Sequence, residues 1–186
     1  NRQILAARAV RALGLALGAD AGALGARTLY EVAHNIAKME THLVGGTRRR
    51  VCVHRKGATR AFPAGHRDIP ADYRAVGQPV LIPGDMERYS FVLAGLPGAM
   101  THTFGSSCHG AGRRLSRTKA REQAMGRPIQ REMERAGILV RAASLRTQQE
   151  ETAAAYKDVA EVVDAVAAAG LSAVVARLRP LAVVKG

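Results

Sequence analysis

The chain has 186 residues, of which 47% are hydrophobic and 23% charged, a composition typical of one folded globular domain or a large piece of one. Its apolar runs fall short of the roughly 20 residues that a membrane-spanning helix needs, and arginines interrupt the N-terminal residues where a signal peptide would be apolar. Its two cysteines are too few for a disulfide framework, so we expect a protein of the reducing cytoplasm with no membrane partner. The net charge of +13 predicts a polyanionic partner such as nucleic acid, the alternative being a basic surface that reflects an arginine-rich genome bias.

The N-terminal segment, residues 1–20, is predicted to form a helix. Arginine-rich amphipathic starts also occur in transit peptides, but an ordinary helix is the simpler interpretation. Its larger apolar side chains are predicted to face a core, and they are Ile4, Leu5, Leu13 and Leu15.

Short strands and turns are predicted to follow. Residues 28–38 combine strand character with a polar turn at His34–Asn35. Residues 48–62 contain an alternating strand, in which Val51 and Val53 face one side, that continues into a basic turn. Proline, glycine and aspartate indicate a loop at 63–79, and residues 80–95 predict two strands around a Pro-Gly turn.

The second half of the chain predicts helices and strands in mixed order. Residues 116–124 and 128–136 indicate two helices, and residues 138–144 a buried strand. Residues 156–170 predict a helix, and residues 174–186 are strand-like. The last helix is expected to face a core with one side, formed by Val159, Val162, Val163 and Val166. Because strands and helices do not alternate strictly, the predicted class is α+β or irregular α/β.

The strongest candidate for chemistry is His109, which lies in a segment of small residues, 105–112. Small residues let a backbone approach a ligand closely and turn its N–H groups towards an anion. Arg113, Arg114 and Arg117 follow and can bind phosphate through their forked guanidinium groups. A neutral imidazole can act as a nucleophile towards phosphorus, and nearby cations favour the neutral form. The alternative is a structural histidine that only forms hydrogen bonds within a tight loop.

Five sequence segments occur in the same order as in a known enzyme family. They are VAHNIAK (32–38), VCVHRKGATRAFPAGH (51–66), GQPVLIPGDM (77–86), FGSSCHGAGRRLSR (104–117) and VARLRPLAVVKG (175–186). Together they resemble the RtcB family of RNA ligases over nearly the whole chain. The resemblance implies that residues 1–186 form the C-terminal portion of an RtcB-like ligase domain with an α+β fold, and that the N-terminal, metal-binding portion is absent.

The resemblance also implies a reaction. Members of this family are GTP- and manganese-dependent ligases of tRNA splicing and RNA repair. They join an RNA 3′-phosphate or 2′,3′-cyclic phosphate end to a 5′-hydroxyl end. A histidine attacks the α-phosphate of GTP, the GMP passes to the RNA 3′-phosphate, and the 5′-hydroxyl displaces it. The implied partners are tRNA exon halves or broken RNA ends and, beyond these, an activator protein.

Individual residues match the functional positions of the family. His109 matches the guanylylated histidine, and His34 matches a manganese ligand that also lies in the nucleotide site. The other matches to nucleotide-binding positions are Asn35, Pro83, Gly84, Asp85, Met86, Ser90, Gly110, Ala111, Gly112, Tyr156 and Lys185. Asp85 is expected to accept hydrogen bonds from the N1 and N2 edge of guanine. Four basic residues are expected to bind RNA phosphate or GTP phosphate: Arg113, Arg117, Arg55 and Lys56. For Arg55 and Lys56, the alternative to phosphate binding is an ordinary charged turn.

The same resemblance implies that this chain lacks most of the metal site. The family's aspartate, cysteine and two further histidine ligands belong to motifs that do not occur here. We therefore expect the N-terminal half of a ligase to be a partner, the isolated chain to be inactive, and the first helix to expose an apolar face. The alternatives are a truncated, non-catalytic nucleotide- or RNA-binding fragment and an unrelated basic structural domain.

Overall fold

The computed structural model describes residues 1–185 and confirms the α+β class. The chain divides into two compact units, Asn1–Glu31 and the part from Val32 onward. The helices are α1 (Arg2–Leu17), α2 (Ala71–Arg74), α3 (Pro97–His102), α4 (Arg117–Ala124), α5 (Ile129–Arg135), α6 (Leu145–Glu150) and α7 (Val159–Ala168). The strands are β1 (Asn35–Val44), β2 (Thr47–Lys56), β3 (Ala58–Arg60), β4 (Pro79–Ile82), β5 (Ser90–Gly95), β6 (Ser106–Cys108), β7 (Leu139–Ala142), β8 (Ser172–Leu178) and β9 (Ala182–Lys185). Across residues 1–185, none of the helices has the length and apolar character needed to cross a membrane.

The first unit consists of α1 and the turns that follow it. The helix ends at Gly18, whose φ of 64° is left-handed and whose N–H donates to the Gly14 carbonyl. The prediction that this helix faces a core is wrong for its larger apolar residues, since Ile4, Leu5, Leu13 and Leu15 are all more than half exposed. The physical reason is that a single helix followed only by turns has too little chain to cover it. The expectation of an exposed apolar face is confirmed.

A long hairpin opens the second unit. Strands β1 and β2 pair antiparallel from Asn35↔Lys56 to Val44↔Thr47, and Gly45 and Gly46 form the turn between them with positive φ values. The predicted alternation of β2 is confirmed, because Val51 and Val53 are half-buried whereas Cys52 and His54 are exposed. Cys52 and Cys108 are both free thiols.

A three-stranded antiparallel sheet, in the order β4-β5-β8, packs against α7 and forms the larger core. The two strands predicted around the Pro-Gly turn are confirmed as β4 and β5. The predicted face of α7 is also confirmed, because Val159, Val163 and Val166 are buried and Val162 is half-buried. The core places the Pro-Gly turn and the first turn of α7 on neighbouring parts of the surface.

A second core lies beneath α4, α5 and a two-stranded parallel sheet of β7 and β9. The predicted helices at 116–124 and 128–136 are confirmed with nearly the expected bounds. The strand predicted to be buried, β7, has only one buried face, because Val140 is 1% exposed whereas Leu139 is 50% exposed. The sheet has two strands and one covered face, so alternate residues of β7 remain at the surface.

Shorter elements that the sequence did not predict bring the functional segments together. Strand β3 pairs antiparallel with β6, matching Ala58 with Cys108, so the turn after β2 lies beside the residue that precedes His109. The loop predicted at 63–79 contains the short helix α2, and the polar segment after β7 forms α6. Both helices are too short to show a clear apolar period in the sequence.

Candidate active site

Two histidines far apart in sequence stack on each other. The rings of His34 and His109 have centroids 4.7 Å apart and planes within 2° of parallel. His34 immediately precedes β1 and His109 immediately follows β6, so the hairpin and the β3–β6 pairing create this contact. The pKa of His109 lies below its ordinary value, first because of burial and then because of His34. The predicted preference for neutral imidazole is thus confirmed in direction, but its causes are burial and the second histidine instead of the following arginines.

Gly57 lies against this histidine pair and was missed by the sequence interpretation. Its backbone N–H donates to the His34 carbonyl at 3.2 Å, and its φ is +71°. A Cβ atom at this position would lie in van der Waals contact with His109, 3.7 Å from both Cδ2 and Nε2, so glycine places no side chain against this edge of the imidazole. The sequence feature that could have identified Gly57 is its position directly after the basic pair that ends an alternating strand.

The open end of the hairpin also carries Asn35 and Lys56. These residues are register partners at the first position of β1 and the last of β2, next to the His34–Gly57 hydrogen bond. Both are exposed. The structure therefore places a predicted nucleotide contact and a predicted phosphate contact together beside the histidine pair.

The loop after His109 packs on the Pro-Gly turn. The N–H of Ala111 donates to the Pro83 carbonyl at 3.3 Å, and the Ala111 side chain is buried. The N–H of Gly84 donates to the Ser90 hydroxyl at 3.4 Å, and a Cβ atom at Gly84 would collide with the Tyr89 carbonyl oxygen. These contacts hold two of the predicted nucleotide-binding loops against each other.

Asp85 does not present the free carboxylate that the guanine prediction requires. Its Oδ1 accepts hydrogen bonds from the N–H groups of Glu87 and Arg88, both at 2.9 Å, and its Oδ2 accepts from Arg88 Nε at 2.6 Å. Its side chain is 0% exposed. Arg88 also donates to Asp158 at 2.8 Å and so links this turn to the start of α7. The prediction of a guanine contact for Asp85 is not retained, because the carboxylate is already used within its own loop.

Two further side chains have structural roles in place of the predicted contacts. Met86 is 1% exposed and packs in the second core. Arg55 is 2% exposed and donates from both terminal nitrogens to the Glu40 carboxylate, at 2.7 Å each. Its Nε donates to Ser106 Oγ at 2.9 Å. A phosphate would have to displace Glu40 to bind Arg55, so that prediction is not retained either.

Glu151 connects three of the predicted ligand-binding residues and was missed in the sequence. Its carboxylate accepts from Arg113 Nη1 at 3.1 Å, from the Tyr156 hydroxyl at 2.5 Å and from Lys185 Nζ at 3.2 Å. Burial raises the pKa of Glu151, but these hydrogen bonds and charges outweigh it and leave the pKa below its ordinary value. Burial and then Glu151 raise the pKa of Tyr156 to about 12.

Replacing Glu151 with glutamine should therefore lower the pKa of Tyr156 from about 12 towards the ordinary value of 10.0. The change removes the negative charge that opposes phenolate formation, whereas burial continues to raise the pKa. Ultraviolet absorbance titration can follow phenolate formation, with the Tyr156→Phe variant subtracted to isolate this tyrosine. A Tyr156 pKa unchanged in Glu151→Gln would show that the two side chains do not interact in solution.

Backbone pairing joins this network to the His109 loop. The N–H of Arg114 donates to the Ala155 carbonyl at 2.8 Å, and the N–H of Lys157 donates to the Gly112 carbonyl at 3.0 Å. The guanidinium of Arg113 also lies 4.8 Å from the centre of the Tyr156 ring. Gly112, Arg113, Tyr156 and Lys185 thus belong to one connected cluster.

The residues of the described chain do not by themselves fit a manganese ion. His34 supplies one imidazole, but among residues 1–185 there is no group of three or more histidine, cysteine, aspartate or glutamate side chains that could hold a metal. A stable site for a divalent transition ion needs several ligands in fixed geometry. The role of His34 as a metal ligand stays a prediction.

The family model for tRNA-splicing ligase RtcB matches residues 1–186. The tRNA-splicing ligase RtcB of Thermococcus kodakarensis is 60% identical over 158 residues, which are 85% of this chain and 33% of that protein. The protein of the same name from Pyrococcus furiosus is 58% identical over 165 residues, 89% of this chain and 17% of that protein.

The Archaeoglobus fulgidus protein, also named tRNA-splicing ligase RtcB, aligns with the whole chain. It is 50% identical over 186 residues, which are 100% of this chain and 39% of that protein. This chain therefore spans less than two fifths of the length of each of these three relatives.

Proposed function

Because this chain belongs to the tRNA-splicing ligase RtcB family, we propose that it forms the nucleotide-transferring part of a GTP-dependent RNA ligase. The ligase joins RNA 3′-phosphate or 2′,3′-cyclic phosphate ends to 5′-hydroxyl ends, in tRNA splicing and RNA repair in the cytoplasm. Its RNA substrates are tRNA exon halves or broken RNA ends. The observation that carries the proposal is the stacked pair of His34 and His109, with no side chain at Gly57 against the Nε2 edge of His109.

In the first step, a neutral nitrogen of His109 attacks the α-phosphorus of GTP. A nitrogen–phosphorus bond forms, the bond from phosphorus to the β-phosphate oxygen breaks, and pyrophosphate leaves. The imidazole then loses its remaining proton to solvent. The lowered pKa of His109 supports this step, because only the unprotonated nitrogen has a lone pair to donate. Lys56, exposed beside the histidine pair, favours binding of the triphosphate, whereas the guanidinium of Arg113 is already bound to Glu151, Tyr156 and backbone carbonyls.

In the second step, an oxygen of the RNA 3′-phosphate attacks the phosphorus of the histidine-bound GMP. The nitrogen–phosphorus bond breaks, its electron pair returns to the imidazole, and the ring takes back a proton from solvent. In the third step, the 5′-hydroxyl oxygen attacks the RNA phosphorus, GMP leaves, and the hydroxyl proton is released. Water first opens a 2′,3′-cyclic phosphate to the 3′-phosphate.

Manganese is expected in the complete enzyme, where it would neutralise charge on the phosphates. Since the described residues do not supply a ligand set, we propose that His34 is completed by ligands from the N-terminal portion of the ligase. An activator protein is a further proposed partner. The second candidate function is a non-catalytic nucleotide- or RNA-binding fragment, which the incomplete ligand set of residues 1–185 favours.

Ligation by a chimera tests the proposal. This chain would replace the matching segment of the Archaeoglobus fulgidus relative, which aligns with all of its 186 residues. With GTP and manganese, we expect the chimera to join a 3′-phosphate RNA to a 5′-hydroxyl RNA. The 186-residue chain alone should not do so, although it should still bind GTP or RNA. A chimera that binds both but forms no joined product would favour the non-catalytic function.

A further inference from the structure

We propose that Arg117, Arg121 and Arg146 form a binding surface for the phosphodiester backbone of a single RNA strand. We call this group, together with the Glu150 carboxylate that it surrounds, the arginine surface. Arg117 was singled out from the sequence, whereas Arg121 and Arg146 are assigned here from the structure. The identity of the ligand as substrate RNA rests on the proposed function.

The three arginines converge from two helices. Arg117 and Arg121 are four residues apart on α4 and therefore lie on one helix face. Arg146 belongs to α6, which packs against α4. The nearest nitrogens of the three lie 3.8, 3.7 and 3.1 Å from the Glu150 carboxylate oxygens, in the order Arg117, Arg121 and Arg146.

The positive charge of this surface is not balanced within it. Three guanidinium groups surround one carboxylate, and arginine stays protonated in proteins, so an excess of two positive charges remains. Only the Arg146 contact is a hydrogen bond, since the others exceed its length. The Nε of Arg121 is buried without a hydrogen-bond partner among the described residues.

Two of the three arginines face the solvent, Arg121 is partly exposed at 31%, and the carboxylate is largely covered. The side chains of Arg117 and Arg146 are 74% and 71% exposed, whereas that of Glu150 is 14% exposed. An approaching polyanion therefore meets guanidinium groups first. Phosphate matches them better than a carboxylate-bearing protein, because successive phosphates of one strand supply closely spaced negative charges without other side chains.

The arginine surface is continuous with the proposed nucleotide site. The Nη2 of Arg113 donates to the Glu150 carbonyl at 2.6 Å, and the next residue, Glu151, holds Tyr156 and Lys185. A strand whose 3′-phosphate reaches His109 can thus extend its preceding phosphates along α4. The surface would bind the RNA next to the reacting end and not the end itself.

Salt-dependent RNA binding by the 186-residue chain tests this inference. The variant is Arg121→Gln with Arg146→Gln, and the probe is a fluorescent single-stranded RNA with a 3′-phosphate, followed by anisotropy. Each lost phosphate contact should make the slope of log affinity against log salt less negative by about 0.7, or about 1.4 for the pair. If the two proteins bind equally at 1 M salt, a slope difference of about 1.4 corresponds to about 25-fold weaker binding at 0.1 M salt. The control is Arg131→Gln with Arg135→Gln, an exposed pair of arginines on α5, which removes the same charge and should leave the slope unchanged.

A second variant separates binding from folding. Glu150→Gln removes the only negative charge of the arginine surface, so RNA should bind more tightly, whereas a purely structural ion-pair cluster would give no gain in RNA affinity.

An unchanged slope in the double variant, or equal binding of polyglutamate by the unmodified chain, would overturn the inference. Weaker RNA binding in a chimera that cannot ligate would leave the inference standing and reject the proposed function. Normal ligation by the chimera, together with an unchanged salt slope in the double variant, would support the proposed function and overturn the inference.

Discussion

Replacing His109 with alanine in the chimeric ligase should abolish the covalent GMP adduct and, with it, RNA joining. The imidazole is the proposed acceptor of the guanylyl group, and alanine offers no nucleophile in its place. The measurement is transfer of radiolabel from α-labelled GTP to protein in the presence of manganese. No labelled band should appear above the background of a reaction without enzyme.

The matched control is His102→Ala. His102 is exposed at the end of α3 and lies seven residues before His109, so it tests for a general effect of losing a histidine near the loop. Its labelling should equal that of the unmodified chimera. Undiminished labelling in His109→Ala would reject His109 as the nucleophile.

Replacing Arg55 with methionine should lower the free energy of unfolding by about 3–5 kcal/mol, the range for removing one partner of a buried ion pair. The change leaves the Glu40 carboxylate buried and uncompensated, and it removes the donors to Ser106 Oγ and the Phe104 carbonyl at 2.9 and 2.8 Å. Urea unfolding of the 186-residue chain measures the loss. Arg50→Met, at an exposed position of the same strand, should cost less than about 0.5 kcal/mol.

The destabilisation by Arg55→Met should shrink as the pH falls from 7 to 4. Burial raises the pKa of Glu40, but hydrogen bonds from Arg55 and His42 outweigh it and hold the pKa below 4.5. The pair therefore stabilises the unmodified fold above the unfolded-state pKa, and this stability is lost as the pH falls through the lowered folded-state pKa. Without Arg55 the buried carboxylate should titrate above 4.5, so the penalty on the variant is relieved by protonation.

A double variant gives the decisive comparison for this pair. Adding Glu40→Met to Arg55→Met removes the uncompensated charge and should restore much of the lost stability. If the double variant is as unstable as the sum of both single variants, the ion pair is not the cause of the effect.

Sequence periodicity was sufficient to predict elements that have one face against the protein and the other in solvent. The valines of α7 repeat on one side, and β2 alternates, because each of these elements has one face against the protein. Periodicity failed for α1, where an apolar pattern predicted a core that the first unit does not contain. A pattern reports a face that is suited to burial but not the element that covers it.

The candidate site was likewise predictable from the sequence only in part. The small residues around His109 and the family resemblance identified His109 and His34 as separate candidates, but the stacking of their rings was not predicted. The role of Arg55 was not predictable, because its partners Glu40 and Ser106 lie 15 and 51 residues away in sequence. Glu151 was missed for the same reason. Its contact with Lys185 spans 34 residues and depends on the parallel pairing of β7 with β9.

The most direct test of the central claim is to locate the guanylyl group in the chimera. After reaction with GTP and manganese, the protein would be digested at neutral or basic pH, since phosphoramidate bonds are labile in acid, and its peptides analysed by mass spectrometry. We expect GMP on the peptide that contains His109 and on that residue alone. GMP on a lysine or on another histidine, with the His109 peptide unmodified, would contradict it.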